Sequence, residues 1–129
     1  MPMINGSYYN VYVAFCHPRD GSPSHWTILL SHPGSVMCTW NHVAGGPARQ
    51  APYIFEIKET QRLNSRSFSE KIWITGILAD LASEVEDIAD SVPLQDSQNW
   101  TYQVILRLER NGFAPRGSAA TYLEPHIGN

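Results

Sequence analysis

KIWITGILADLASEVEDIADS, residues 71–91, contains the change of pattern that decides the fold. Up to Gly76 the stretch is β-branched and aromatic, the composition of a strand, here over 71–75. After Gly76 the period becomes helical. Ile77, Leu81, Val85 and Ile88 recur on one stripe, with Asp80, Glu84, Glu86 and Asp87 available for the wet face. Ser91-Val-Pro93 stops this helix, so the spacing predicts a helix over 77–91.

Upstream of this switch the chain reads as strands. YYNVYVAFC (8–16) places Tyr9, Val11, Val13 and Phe15 on one face at period two. A turn-rich break, PRDGSPS (18–24), precedes a second strand, HWTILLS (25–31). HPGS (32–35) is short enough for a hairpin turn, VMCTWNHV (36–43) is a third strand, and AGGP (44–47) ends it. YIFEIK (53–58) alternates as a fourth strand, and the polar run ETQRLNSRSFS (59–69) is expected to be a loop. Downstream, Trp100, Val104, Ile105 and Leu108 form the apolar stripe of a second helix, over 97–111. Asp96 is its N-cap and Asn111-Gly112 its stop. The expected fold class is therefore α+β: a mainly antiparallel sheet of about five strands packed by two C-terminal helices. Residues 1–129 read as a single domain, with 113–129 an irregular C-terminal tail.

Composition narrows the function classes. Hydrophobic residues make up 43% and charged residues 16%, which excludes a disordered charged chain. Nine Lys/Arg against twelve Asp/Glu leave a net charge of −3, and the arginines are scattered, so no nucleic-acid partner is expected. No apolar run is long enough for a membrane span. The N-terminus lacks the basic and apolar regions of a secretory signal, so the Asn5-Gly-Ser7 and Asn99-Trp-Thr101 sequons carry no weight, and the cytoplasm is the expected compartment. Cys16 and Cys38 sit in apolar strands and read as buried, inert thiols. Trp26, Trp40, Trp73 and Trp100 suggest an aromatic cluster in one core. No metal is expected, because no C-x-x-C or H-x-x-x-H spacing occurs. No cofactor is expected either, as Gly45-Gly46-Pro47 reads as a turn rather than a phosphate loop.

The order of elements assembles one chemical pattern. His25 opens a strand, His42 ends the next, and each is seven residues from the 32–35 turn, so the two can be cross-strand neighbours on one side of the sheet. Ser97 opens a helix, whose unpaired N–H groups and partial positive charge favour a thiolate or a developing oxyanion. A nucleophile there, a histidine to take its proton and a second polar group to orient that histidine make a triad. Each residue also has a plain explanation: Asp96-Ser97 caps a helix, and His25 and His42 satisfy local hydrogen bonds.

The motifs His25-Trp26, His42-Val43-Ala44-Gly45-Gly46-Pro47 and Asp96-Ser97-Gln98-Asn99-Trp100 resemble, in this order, those of the circularly permuted papain-like proteins. Lecithin retinol acyltransferase-like enzymes are the best-known branch, and a set of small fungal proteins of that type is more similar. The similarity covers about residues 8–112. It implies attack on an amide, ester or thioester carbonyl of a small-molecule or peptide substrate. Ser97 would stand at the nucleophile position, with His25 as general base and His42 as orienting partner. Trp26, Gln98 and Trp100 would be the substrate-binding residues. The family's motif has Cys where this chain has Ser97. That leaves a serine nucleophile, a natural pseudoenzyme and an engineered Cys→Ser change all open. A catalytically inactive binding module with the same groove is the alternative, and an isomerase or cyclase using the two histidines for proton transfer is a third.

Overall fold

Alternating and fully apolar stretches between turns give five strands in the computed structural model, which describes residues 8–19 and 21–129. The strands are β1 (Tyr8–Cys16), β2 (Trp26–Ser31), β3 (Met37–Gly46), β4 (Ala51–Arg62) and β5 (Phe68–Leu78). Two helices follow, α1 (Ala82–Ser91) and α2 (Ser97–Arg110). The N-terminal stretch with the Asn5 sequon, and Asp20 in the 18–24 turn, lie outside the described residues. The strands form one sheet in the order β4-β3-β2-β1-β5, each neighbour antiparallel. The α+β class with both helices after the sheet is the one the period switch implies.

The sheet is apolar on two faces. Val11, Val13, Phe15, Trp26, Ile28, Leu30 and Val43 pack under Val85 and Ala89 of α1 and Trp100, Val104, Ile105 and Leu108 of α2. The other face has a smaller cluster of Ala14, Leu29 and Cys38, against which Tyr12, Trp40, Leu63 and Phe68 pack. Burial on both faces explains why all six residues of the central strand β2 are buried and why its sequence does not alternate. Leu63 and Phe68 bring the ends of both edge strands over the second face. The four tryptophans are accordingly divided. Trp26 and Trp100 lie in the main core and Trp40 on the other face, while Trp73 is 52% exposed, with its indole N–H on Asn10 Oδ1.

Several boundaries differ from those expected. β3 runs through Gly46 rather than ending at Val43, so Gly45 and Gly46 are strand residues paired with β4, and the turn is the 3-10 segment Pro47–Arg49. The run 59–69 is mostly strand, because β4 and β5 are sheet edges whose residues meet water on several sides and carry little apolar signal. Within it a register shift falls opposite Cys38–Trp40, and Thr60 adopts φ 57, the signature of a bulge. Gly76 is not a break. It sits in β5 opposite Asn10, with the Tyr8 ring 3.7 Å from where a Cβ would be. Ile77 and Leu78 therefore complete the strand, and the helix starts only at Ala82 after one 3-10 turn, Ala79–Leu81. Glu86 is not fully wet, since its carboxylate accepts from Asn41 Nδ2 on β3 at 3.3 Å.

At the start of α2, Asp96 is the cap. Its carboxylate accepts from the Asn99 backbone N–H at 3.0 Å and from Asn99 Nδ2 at 2.8 Å. Asp96→Ala should cost about 1 kcal/mol, seen as a lower urea midpoint at unchanged slope. An unchanged midpoint would mean that packing of Trp100 alone fixes this helix end. Beyond α2 the tail is more than irregular chain. Gly117 and Ala119 donate their N–H groups to the Glu109 carboxylate, a π-helical turn (Ala119–Leu123) buries Ala119 and Leu123 fully, and a 3-10 turn (Glu124–His126) follows.

Candidate functional site

The β2–β3 register puts Ile28 opposite Asn41, Leu29 opposite Trp40 and Leu30 opposite Thr39. Continuing it sets His42 opposite Thr27, so His25 lies two residues further along, diagonal to His42. The 32–36 connection is not symmetric about the turn, and the symmetric count from 32–35 misses by two. Because side chains repeat every two residues, a slip of two keeps both on one side. The rings meet: His25 Nε2 is 2.9 Å from His42 Nδ1, edge to face. On β4, Glu56 lies directly opposite His42, and its Oε1 is 3.0 Å from His42 Nε2.

This chain of contacts fixes the tautomers. An ionised carboxylate only accepts, so His42 Nε2–H donates to Glu56. His42 Nδ1 is then a lone pair, and His25 Nε2–H must donate to it. The remaining nitrogen, His25 Nδ1, makes no hydrogen bond among the described residues and holds a free lone pair. Burial pushes the His25 pKa down to about 4, with His42, Arg49 and Lys58 adding to the effect. Burial also lowers that of His42, against the pull of Glu56. Both rings are neutral at pH 7, so the His42–Glu56 contact is a hydrogen bond there and not an ion pair. His25 is thus a base with its proton acceptor oriented by two partners in series.

Ser97 approaches the start of β2 from the helix layer. Because Asp96 caps the helix, the Ser97 side chain is left free, and its Oγ accepts from the Trp26 backbone N–H at 3.0 Å. The other side of that peptide is tied to β1, where Cys16 N–H donates to the His25 carbonyl at 2.8 Å. Ser97 therefore abuts the His25–Trp26 peptide, and its hydrogen bond runs to backbone rather than to the His25 ring. An N–H aimed at this atom, beside the start of a 14-residue helix, favours negative charge on it.

The three residues proposed to touch substrate are placed otherwise. Trp26 and Trp100 are 1% and 0% exposed and fill the core, and Gln98 is buried with its amide on Ser24 and residues 128–129. Glu56 is the site residue that sequence reading missed. Its available signal was register: a hairpin centred on Arg49 pairs residue 42 with residue 56. Two shallow clefts, of about 250 Å³ beside residues 63–71 and about 280 Å³ beside the β2–β3 hairpin, are not lined by His25, His42 or Ser97. Both cysteines are free; Cys38 is buried as expected, but Cys16, at the end of β1, is only partly buried, and desolvation raises both thiol pKa values. Among the described residues no group of three His, Cys, Asp or Glu is placed to hold a metal ion, and no helix is long and apolar enough to cross a membrane. No family model matches this chain, and comparisons with curated proteins and with solved structures yield no match.

Proposed function

We propose that the protein has the scaffold of a thiol-type hydrolase or acyltransferase, acting on an amide, ester or thioester carbonyl, with Ser97 at the nucleophile position. The observation that supports this is the relay His25–His42–Glu56, which leaves one nitrogen of His25 without a partner among the described residues, while Ser97 at the start of α2 is hydrogen-bonded to the backbone of the next residue, Trp26. In such a reaction the residue-97 side chain attacks the carbonyl and its proton passes to His25 Nδ1; collapse of the adduct breaks the bond to the amine, alcohol or thiol leaving group, which takes that proton and leaves the acyl group on residue 97. His42 and Glu56 stabilise the imidazolium formed between these steps. The Trp26 N–H and the α2 terminus stabilise charge on the attacking atom. Serine suits this site less well than cysteine, because its hydroxyl is far harder to ionise at neutral pH.

The test is acyl transfer from p-nitrophenyl acetate. Ser97→Cys protein should acquire an acetyl group on residue 97, found by peptide mass mapping, and the label should be lost in Ser97→Cys with His25→Ala. Label confined to Cys16, Cys38 or surface lysines would sink the reading. One observation favours the inactive binding module instead: Ser97 Oγ is hydrogen-bonded to backbone and not to His25. On that reading parent and Ser97→Cys protein behave alike.

A further inference from the structure

We propose that Lys58 and Arg49 hold an oxyanion, a carboxylate or a phosphate group, beside the His25–His42–Glu56 relay. Alternation along the strands sorts the charges by face. Leu29 and Trp40 are paired across β2 and β3 on the side away from the helices. Trp40 is opposite Lys58 and His42 opposite Glu56, so these three residues join Trp40 on that side. Lys71, opposite Ala14, does so as well. Glu70, opposite Phe15, falls on the helix side, and Glu84, Glu86, Asp87 and Asp90 belong to α1. Among the described residues Glu56 is the one carboxylate that strand pairing places on the second face. The acids of α1 and the lysines of the strands thus lie on opposite sides of the sheet.

Of these cations Lys71 is committed, with its Nζ 2.7 Å from Asn64 Oδ1 and over the Tyr12 ring. Lys58 is not. It is exposed, and among the described residues its ammonium makes no ion pair or hydrogen bond. Arg49 is equally free, at the end of the 3-10 turn Pro47–Arg49. Continuing the β2–β3 register sets Ala44 opposite His25, so this turn begins three residues beyond the row of His25. Lys58 therefore flanks the relay along β4, and Arg49 closes its open end. The relay feels both charges: burial is the main cause of the low His25 pKa, and Arg49 and Lys58 lower it further. The other groups facing His25 are His42, neutral at pH 7 with Glu56 behind it, and Cys16 across on β1, a thiol that burial keeps protonated. Two cations against the single charge of Glu56 leave a positive excess. An ammonium and a guanidinium offer charged donors, which suit a carboxylate or phosphate far better than a neutral amide or ester. An anion there also offsets the charges that keep His25 from binding a proton, so its arrival makes His25 a stronger base. That the anion belongs to the acyl donor rests on the function proposed above; the binding itself does not.

The probes are glutarate and inorganic phosphate, titrated into the full chain at pH 7 and low salt while the His25 ring signals are followed by NMR. At least one should give a saturable shift, the tighter of the two naming the anionic group. It should raise the His25 midpoint from about 4 by at least about half a unit. Lys58→Gln combined with Arg49→Gln should weaken binding at least about tenfold, and Lys58→Arg should keep it. Both side chains are exposed, so these variants should unfold at the parent's urea midpoint. In Ser97→Cys protein, mono-p-nitrophenyl adipate should acylate residue 97 at least about tenfold faster than p-nitrophenyl acetate, and the paired glutamine substitutions should erase the difference. Absence of a saturable shift with either anion, unchanged binding in the paired variant, or an equal shift with neutral glutaramide would each overturn the anion site. Anion binding with no acylation by either ester would support the site and refute the acyl-transfer chemistry alone. Equal acylation by the two esters would overturn the anion's place on the acyl donor.

Discussion

Ser97→Cys protein should alkylate with iodoacetamide at pH 7 about tenfold faster at the introduced thiol than at Cys16 or Cys38. Two of the causes are fixed dipoles: the Trp26 N–H that now meets Ser97 Oγ, and the N-terminus of α2. Both favour the thiolate over the thiol. The native cysteines have the opposite setting, since burial raises both of their pKa values. His25 adds a third effect of a different kind. It is neutral at pH 7, with a pKa near 4, so it supplies no standing positive charge. It acts when it accepts the thiol proton, because a thiolate beside the ring raises the imidazole's own affinity for that proton.

The pH profile separates these causes. The rate midpoint should lie below that of a free cysteine, about 8.5. His25→Ala should move it up by about one unit while leaving the part due to the dipoles. His42→Ala and Glu56→Gln should move it in the same direction but less, because they act only through the orientation and charge of His25. A midpoint at the free-cysteine value in every variant would mean that position 97 is just the first residue of a capped helix. The binding-module reading would then lead.

Much of this arrangement was legible in the chain, and what was not has identifiable causes. Trp100, Val104, Ile105 and Leu108 declared α2 because all four face the core and nothing competes for them. Asp96 declared its start through a local bond that depends on spacing alone. The ends of β4 and β5 stayed hidden because an edge strand pairs through backbone, and its side chains need not be apolar. Gly76 misled because a glycine inside a strand looks like a terminator until the Tyr8 ring that packs over it is known. Within the site, the side shared by His25 and His42 followed from period two and survived a register error of two. Glu56 required the register of a second hairpin, whose loop at 47–50 contains a residue, Gln50, with φ 52. The docking of Gln98 onto residues 128–129 joins positions about thirty apart with no periodic signal between them.

Acid should destabilise the fold through His25 specifically. The unfolded chain binds a proton at His25 near its ordinary value of 6.5, whereas the folded chain does so only near 4. Above 6.5 neither state is protonated there, and the group has no effect on stability. Between 6.5 and 4 the unfolded state binds more protons, so stability falls as pH falls. Below 4 both states are protonated and the loss levels off. The gap corresponds to about 3 kcal/mol at most, and partial exposure of the ring trims this toward about 2 kcal/mol. The physical cause is chiefly burial, followed by the neighbouring His42 and the positive charges of Arg49 and Lys58. Protonation would also remove the lone pair on His25 Nδ1, so any reaction that uses it as a base fades in the same window.

His25→Gln isolates the effect. Glutamine keeps an N–H for His42 Nδ1 but does not titrate, so the carboxylates that also respond near pH 4 cancel in the comparison. Urea midpoints measured at pH 7 and pH 4 should show the parent losing about 2–3 kcal/mol more than His25→Gln. Equal losses would mean that His25 takes its proton in the fold as readily as in the unfolded chain. The neutral ring with a free lone pair on Nδ1 would then not exist, and His25 would lose its place as the base of the relay.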